Sequence, residues 1–242
     1  MPGDTTSAAS ALALADGKLR VTEIFYSLQG ETSRVGLPTV FIRLTGCPLR
    51  CLYCDTAYAF HGGDTRTIQD VIDEAATYAT PYVTVTGGEP LAQKNCLALL
   101  SSLAGAGYSV SLETSGALDI SLVDGRVSRI LDIKTPGSGE VDRNRWDNLR
   151  YLNTRDEIKF VLCDERDYLW AREVLEDGAL YNLCPVLFSP VHGALDPTKL
   201  AEWILRDRLQ VRMPVRATKL SPKKSRVERR LPSTLTQRWG AR

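Results

Sequence analysis

The sequence predicts an α/β domain built on a parallel sheet, and three observations lead there. Runs of β-branched and aromatic residues alternate with stretches whose apolar residues recur at helical spacing, from about residue 19 to about residue 207. Most of those runs end in polar or glycine-rich residues: the Cys47–Cys54 loop, Gly-Gly-Glu, Glu-Thr-Ser-Gly, Asp-Ile-Lys and Ser-Pro-Val-His. The chain has 242 residues, 43% hydrophobic and 24% charged, so it can bury one sizeable core. Strands alternating with helices imply parallel pairing through right-handed crossovers, and the carboxyl ends of such strands form the face where ligands bind.

In chain order, LRVTEIFYSL (19–28) predicts the first strand and PTVFIRLTG (38–46) the second, which runs straight into a cysteine cluster. TIQDVIDEAATYA (67–79) has apolar residues at helical spacing, with Thr67 as N-cap and Asp70 three residues on. Tyr82 to Thr86 is a short strand closed by Gly87-Gly88, and Pro90 suits the first position of a helix reaching about Leu103. Further strands are expected over 108–116, 129–137, 157–163 and 183–191, and helices over 164–178 and 196–207. The body is therefore taken as 19–213, with 1–18 a flexible leader and 214–242 a basic tail.

The net charge of +1 hides an asymmetry, because residues 212–242 hold ten Lys or Arg against one acid, Glu228. The remainder carries twenty bases and twenty-eight acids, which argues against a specific nucleic-acid face on the folded body. No run of eighteen apolar residues predicts a membrane span, and the N-terminus lacks the basic and apolar regions of a signal peptide. A cytoplasmic location is expected, where six cysteines stay reduced and serve as metal ligands or buried thiols.

CPLRCLYC places Cys47, Cys51 and Cys54 within one short loop, which can present three thiolates to three irons of a cluster. A fourth cysteine is missing nearby, leaving one iron open to a small molecule. A zinc site short of a ligand and a group of structural thiols are the competing readings. Cys96, Cys163 and Cys184 fall in or beside apolar patterns and read as ordinary thiols. His61 and His192 have no partner at metal-ligand spacing.

C-x3-C-x2-C with an aromatic residue, Tyr53, before the last cysteine resembles the signature of the radical S-adenosylmethionine (SAM) superfamily, and TGGEP (86–90) resembles its second motif. FYSLQGE (25–31) and GLPTVFIRLTGCPLRCLYCDT (36–56) narrow the likeness to the 7-carboxy-7-deazaguanine synthase family, over roughly residues 20–213. The resemblance implies a compact partial (β/α) barrel and a 4Fe-4S cluster on Cys47, Cys51 and Cys54. It also implies a reaction: a SAM-derived radical contracts 6-carboxy-5,6,7,8-tetrahydropterin to 7-carboxy-7-deazaguanine with loss of ammonia, in queuosine and related 7-deazapurine biosynthesis.

Position by position, the resemblance puts the pterin against Leu28, Gln29, Gly30, Arg43 and Thr86, with Glu31 a weaker candidate. Tyr53 and Gly88 would meet SAM, together with Asp132, Ile133 and Lys134 and the later Ser189, Pro190, Val191 and His192. Thr56 matches a Mg2+ ligand, whereas its local sequence equally suits a helix cap. Glu113 to Gly116 either lines the site or forms a capping network. The implied partners are an electron donor such as flavodoxin or ferredoxin and a second copy of the chain. No residue is assigned as general base.

The likeness fades at RMPVRATKLSP, where Thr218 stands at the family's histidine, and the family's frame is taken to be lost near Met213 or Pro214. SAM cleavage would then survive better than turnover. Two other readings remain open. One is a glycyl-radical-enzyme activase, which FYSLQGE and Arg43 oppose; the other is an electron-transfer module, which gives Gly-Gly-Glu-Pro no purpose.

Overall fold

The computed structural model describes residues 17–214, so most of the expected leader and the basic tail beyond Pro214, with Thr218, lie outside the described residues. The architecture is a single eight-stranded sheet that curls without closing, with strand order β3-β1-β2-β4-β5-β6-β7-β8. β1 (Lys18–Leu28) and β2 (Pro38–Leu44) form an antiparallel hairpin. From β2 onward, β4 (Tyr82–Gly87), β5 (Ser109–Thr114), β6 (Ser128–Ile133), β7 (Glu157–Leu162) and β8 (Val186–Pro190) pair in parallel.

The helix expected from Thr67 is α1 (Ile68–Ala76), and Thr67 and Asp70 exchange the side-chain bonds of a capping box at its start. Just before it, Asp64–Thr67 forms β3, an antiparallel edge strand on Lys18–Val21 that sequence reasoning missed. Its residues DTRT carry no apolar face, and only pairing with β1 gives them strand geometry. The helix expected from Pro90 to Leu103 breaks into a short 3-10 turn over Pro90–Ala92 and α2 (Cys96–Gly105). Gln93 between them stays extended, exchanging bonds with both backbone groups of Arg20, next to the irregularity in β1 between Val21 and Glu23. α3 (Glu165–Asp177) and α4 (Pro197–Asp207) follow β7 and β8 as expected. β5 to β6 and β6 to β7 cross over on loops and 3-10 turns, held partly by the buried Asn148, which donates to Gly116 and Leu118 carbonyls. After α4, Arg212 makes a single parallel bridge to Leu187 of β8.

Alternation along the strands divides the sheet into two faces. The outer face carries Val40, Ile42 and Leu44, then Val83 and Val85, Val110 and Leu112, Leu131 and Ile133, and Ile158 and Phe160, all packed in one core with the helices. Phe160 there meets Phe188 and Trp170 edge-on, at ring centroid distances of 5.5 and 6.3 Å. Register places Arg43, Thr86, Asp132 and Lys159 on the opposite, inner face, and these together with Glu113 line a cavity.

Candidate active site

A cavity of about 490 Å³ opens along that inner face, within the size range of small-molecule sites. Cys47, Cys51 and Cys54 line one end of it, on the loop that leaves β2. That loop is fastened from outside: Leu52 donates its N–H to the Ser138 carbonyl at 2.9 Å, and Arg50 donates its N–H to Glu140 and lies over the Phe60 ring. The Leu49 N–H points at Cys47 Sγ at 3.4 Å. Burial pushes the Cys47 and Cys51 thiols above their ordinary range, while Lys134 acts against that shift at both. Cluster binding would therefore release protons from them.

Gly87 and Gly88 are glycines because β2 and the cysteine loop pass over them. A Cβ on Gly87 would overlap the Leu44 carbonyl, and one on Gly88 would overlap the Gly46 carbonyl and sit 2.8 Å from Cys47 Cβ. The Glu89 carboxylate turns away from the cavity and latches the end of β5, accepting from Thr114 Oγ1 at 2.9 Å and from the Ser115 N–H at 2.7 Å. Glu113 to Gly116 thus serves both expected roles: Glu113 faces the cavity, and Thr114 and Ser115 form the buried network.

The loop after β1 folds under the sheet as a floor. Gln29, buried, accepts the N–H groups of Gly30 and Glu31 at Oε1, and its Nε2 points to Thr84 and Glu113 at 3.4 Å each. The floor is pinned across the barrel by Ser33, whose N–H and hydroxyl both bind Glu157, and by Arg34, which donates to Ser109. Arg43 has its Nε on Glu23 Oε1 at 2.9 Å, with Tyr58 donating to the same oxygen, so the far end of its guanidinium fork is the part left for an anion.

Leu28, Gln29, Gly30, Arg43, Thr86, Tyr53, Gly88, Asp132, Lys134, Val191, His192, Thr56 and the three cysteines all line this one cavity. Ile133 and Pro190 do not, because alternation sends their side chains to the outer face. Ser189 points inward beside Val161, beyond the cavity wall. Thr56 precedes the 3-10 turn Ala57–Phe60 without a capping bond, and its hydroxyl donates to Asp55 at 2.8 Å. Sequence reasoning missed Lys159, which reaches Glu31 at 3.1 Å and Asp132 at 3.5 Å. The signal was a lysine set inside the apolar run IKFVL of a wholly buried strand.

Three thiols on one loop at a strand's carboxyl end, the three cysteines among the described residues that line the cavity, fit a cubane open at one iron. Among the described residues no three His, Cys, Asp or Glu converge tightly enough for a single metal ion. Next to them the Tyr53 hydroxyl is buried with no hydrogen-bond partner, as is Ser189 Oγ. Burial drives the Tyr53 phenol far above its ordinary range, so it stays protonated. Fold and cavity together place the protein in the radical SAM class.

Comparison with known proteins agrees. The family described as the Radical SAM superfamily matches residues 41–134. The chain is 45% identical to the 7-carboxy-7-deazaguanine synthase of Chlorobaculum tepidum over 82% of its own length and 91% of that protein's. It is 41% identical to that of Koribacter versatilis over 81% of its length and 93% of the relative's. The crystal structure of QueE from Escherichia coli shares the fold at a TM-score of 0.68 and 23% identity, covering 84% of this chain and 97% of that one. The chain belongs to the 7-carboxy-7-deazaguanine synthase family, as the sequence resemblance implied.

Proposed function

We propose that the protein converts 6-carboxy-5,6,7,8-tetrahydropterin to 7-carboxy-7-deazaguanine with loss of ammonia, in queuosine and related 7-deazapurine biosynthesis. One observation carries this reading: in a chain 45% identical to a synthase of that name, Gln29, Arg43 and Thr86 line the same cavity as the three cysteines. Cys47, Cys51 and Cys54 would hold the cluster, which would supply the electron for reductive cleavage of SAM and so open radical chemistry on the substrate.

The chain's own residues bind and orient. Arg43, steadied by Glu23, offers its free fork to the substrate carboxylate. Gln29, Gly30 and Leu28 support the pterin from the floor, and Thr86, whose hydroxyl donates to Glu113 at 2.8 Å, flanks it. Tyr53, Gly88, Asp132 and Lys134 seat SAM; Val191 and His192 form a further wall of that seat, with Ser189 behind it and Ile133 and Pro190 contributing backbone only. The unpartnered Tyr53 and Ser189 hydroxyls support a ligand on that side. Thr56 and its neighbour Asp55 offer hard oxygens to a Mg2+ ion, which prefers such ligands and keeps several waters.

Among the described residues no helix is long and apolar enough to cross a membrane, and the reading is of a cytoplasmic homodimer reduced by a flavodoxin- or ferredoxin-type donor. The test is anaerobic incubation of the reconstituted protein with 6-carboxytetrahydropterin, SAM, Mg2+ and reductant, with products identified by mass. Appearance of 7-carboxy-7-deazaguanine and 5′-deoxyadenosine supports the reading. 5′-Deoxyadenosine without a deazaguanine product overturns the substrate, and neither product overturns the chemistry.

A further inference from the structure

Lys159 stands on the inner face of β7, directly opposite Asp132 of β6, and is 7% exposed. Its ammonium lies 3.1 Å from Glu31 and 3.5 Å from one Asp132 oxygen, while Lys134 lies 3.2 Å from the other. Glu31 belongs to the floor segment that carries Gln29 and Gly30, whereas Asp132 and Lys134 belong to the carboxyl end of β6 and the residue just beyond it. Burial alone would lower the Lys159 ammonium, but Glu31, Asp132 and Glu113 together override it and hold the group above its ordinary range. It is therefore a permanent charge, shared between carboxylates on two separate chain segments.

We infer that Lys159 is a positioning residue that makes the seating of the pterin and the seating of SAM interdependent. The inference rests on the function proposed above, which assigns the floor to the pterin and the Asp132 wall to SAM. Ordering Glu31, Lys159 and Asp132 into one fixed arrangement costs side-chain freedom. Whichever ligand binds first carries that cost, and the second meets a wall already set, so binding is positively cooperative and reciprocal. With a neutral side chain at this position the two carboxylates lose their common partner and each half is ordered separately.

Two measurements test this. In the first, SAM is titrated calorimetrically into cluster-loaded protein with the cluster oxidised, so that no cleavage occurs, with and without saturating 6-carboxytetrahydropterin. The pterin should tighten SAM binding by about tenfold in the parent protein, a typical coupling, and by less than about twofold in Lys159→Met. An equal factor in both proteins, or no factor in a parent protein whose own titration shows the pterin bound, overturns the inference.

The second needs neither ligand nor a lysine variant. Melting temperatures of Glu31→Gln, Asp132→Asn and the double variant should be non-additive while Lys159 is present, because both carboxylates draw on one ammonium. Additive shifts overturn the inference whatever the pterin does. Failure of the proposed function would instead show as absent pterin binding alongside intact non-additivity.

Discussion

The two faces of one sheet behave as different materials. On β6 and β7 the outer residues Ile133, Ile158 and Phe160 disappear into a continuous apolar core, while one position away Asp132, Lys134 and Lys159 share charges around a cavity. The separation is one residue wide, because strand side chains alternate, so stability and chemistry are written into the same strands without sharing side chains. Substitutions on the two faces should therefore fail in different ways.

The largest expected effect lies where the inner face meets the cysteine loop. Cys51→Ala removes one of three cluster thiols and should abolish both 5′-deoxyadenosine and product, with far-ultraviolet circular dichroism unchanged and iron content reduced. Residual product formation would break the comparison by separating the cavity's chemistry from its thiols. On the outer face, Phe160→Ala empties a fully buried ring site and should cost about 3–5 kcal/mol in urea unfolding, while the affinity of the surviving folded protein for SAM holds. A large loss of SAM affinity at unchanged stability would show that the faces are not independent.

The smallest effect is a pH dependence at Glu113. Burial holds its carboxyl above the ordinary value of 4.5, against the pull of Lys159 and the bonds from Thr86 and Gln29. The folded state binds that proton more tightly than the unfolded chain, so its stabilisation is complete below pH 4.5 and is lost as pH rises through the folded-state value. Glu113→Gln cannot lose it, so urea midpoints of variant and parent should diverge in the variant's favour as pH climbs above that point. A gap that stays constant with pH sinks the assignment.

Much of this was readable in the residues. The alternation of LDI in β6, continued by Lys134 just beyond it, and of VFIRL in β2 already separates inward from outward positions, and the cysteine spacing with Gly87-Gly88 marks the cavity's end. Local sequence could not show that β3 exists, since DTRT becomes a strand only by pairing with Lys18–Val21. Nor could it show that helix formation waits from Pro90 until Cys96, because Gln93 is held extended by a backbone segment 73 residues earlier in the chain. Lys159 was visible as a misplaced charge, yet its meaning depends on Glu31, 128 residues away. Long-range partners of that kind leave no periodicity to read.

The floor loop sets an order of events during synthesis. Its anchors reach from Gln29 to Glu113, Arg34 to Ser109, Ser33 to Glu157 and Glu31 to Lys159, across 75 to 128 residues of chain. Contacts between such distant residues form late, after the loop closures that bring them together. The cysteine loop is thus complete on a nascent chain well before the partners that fasten the floor at Ser109, Glu113, Glu157 and Lys159, so the thiols exist before the cavity they come to line.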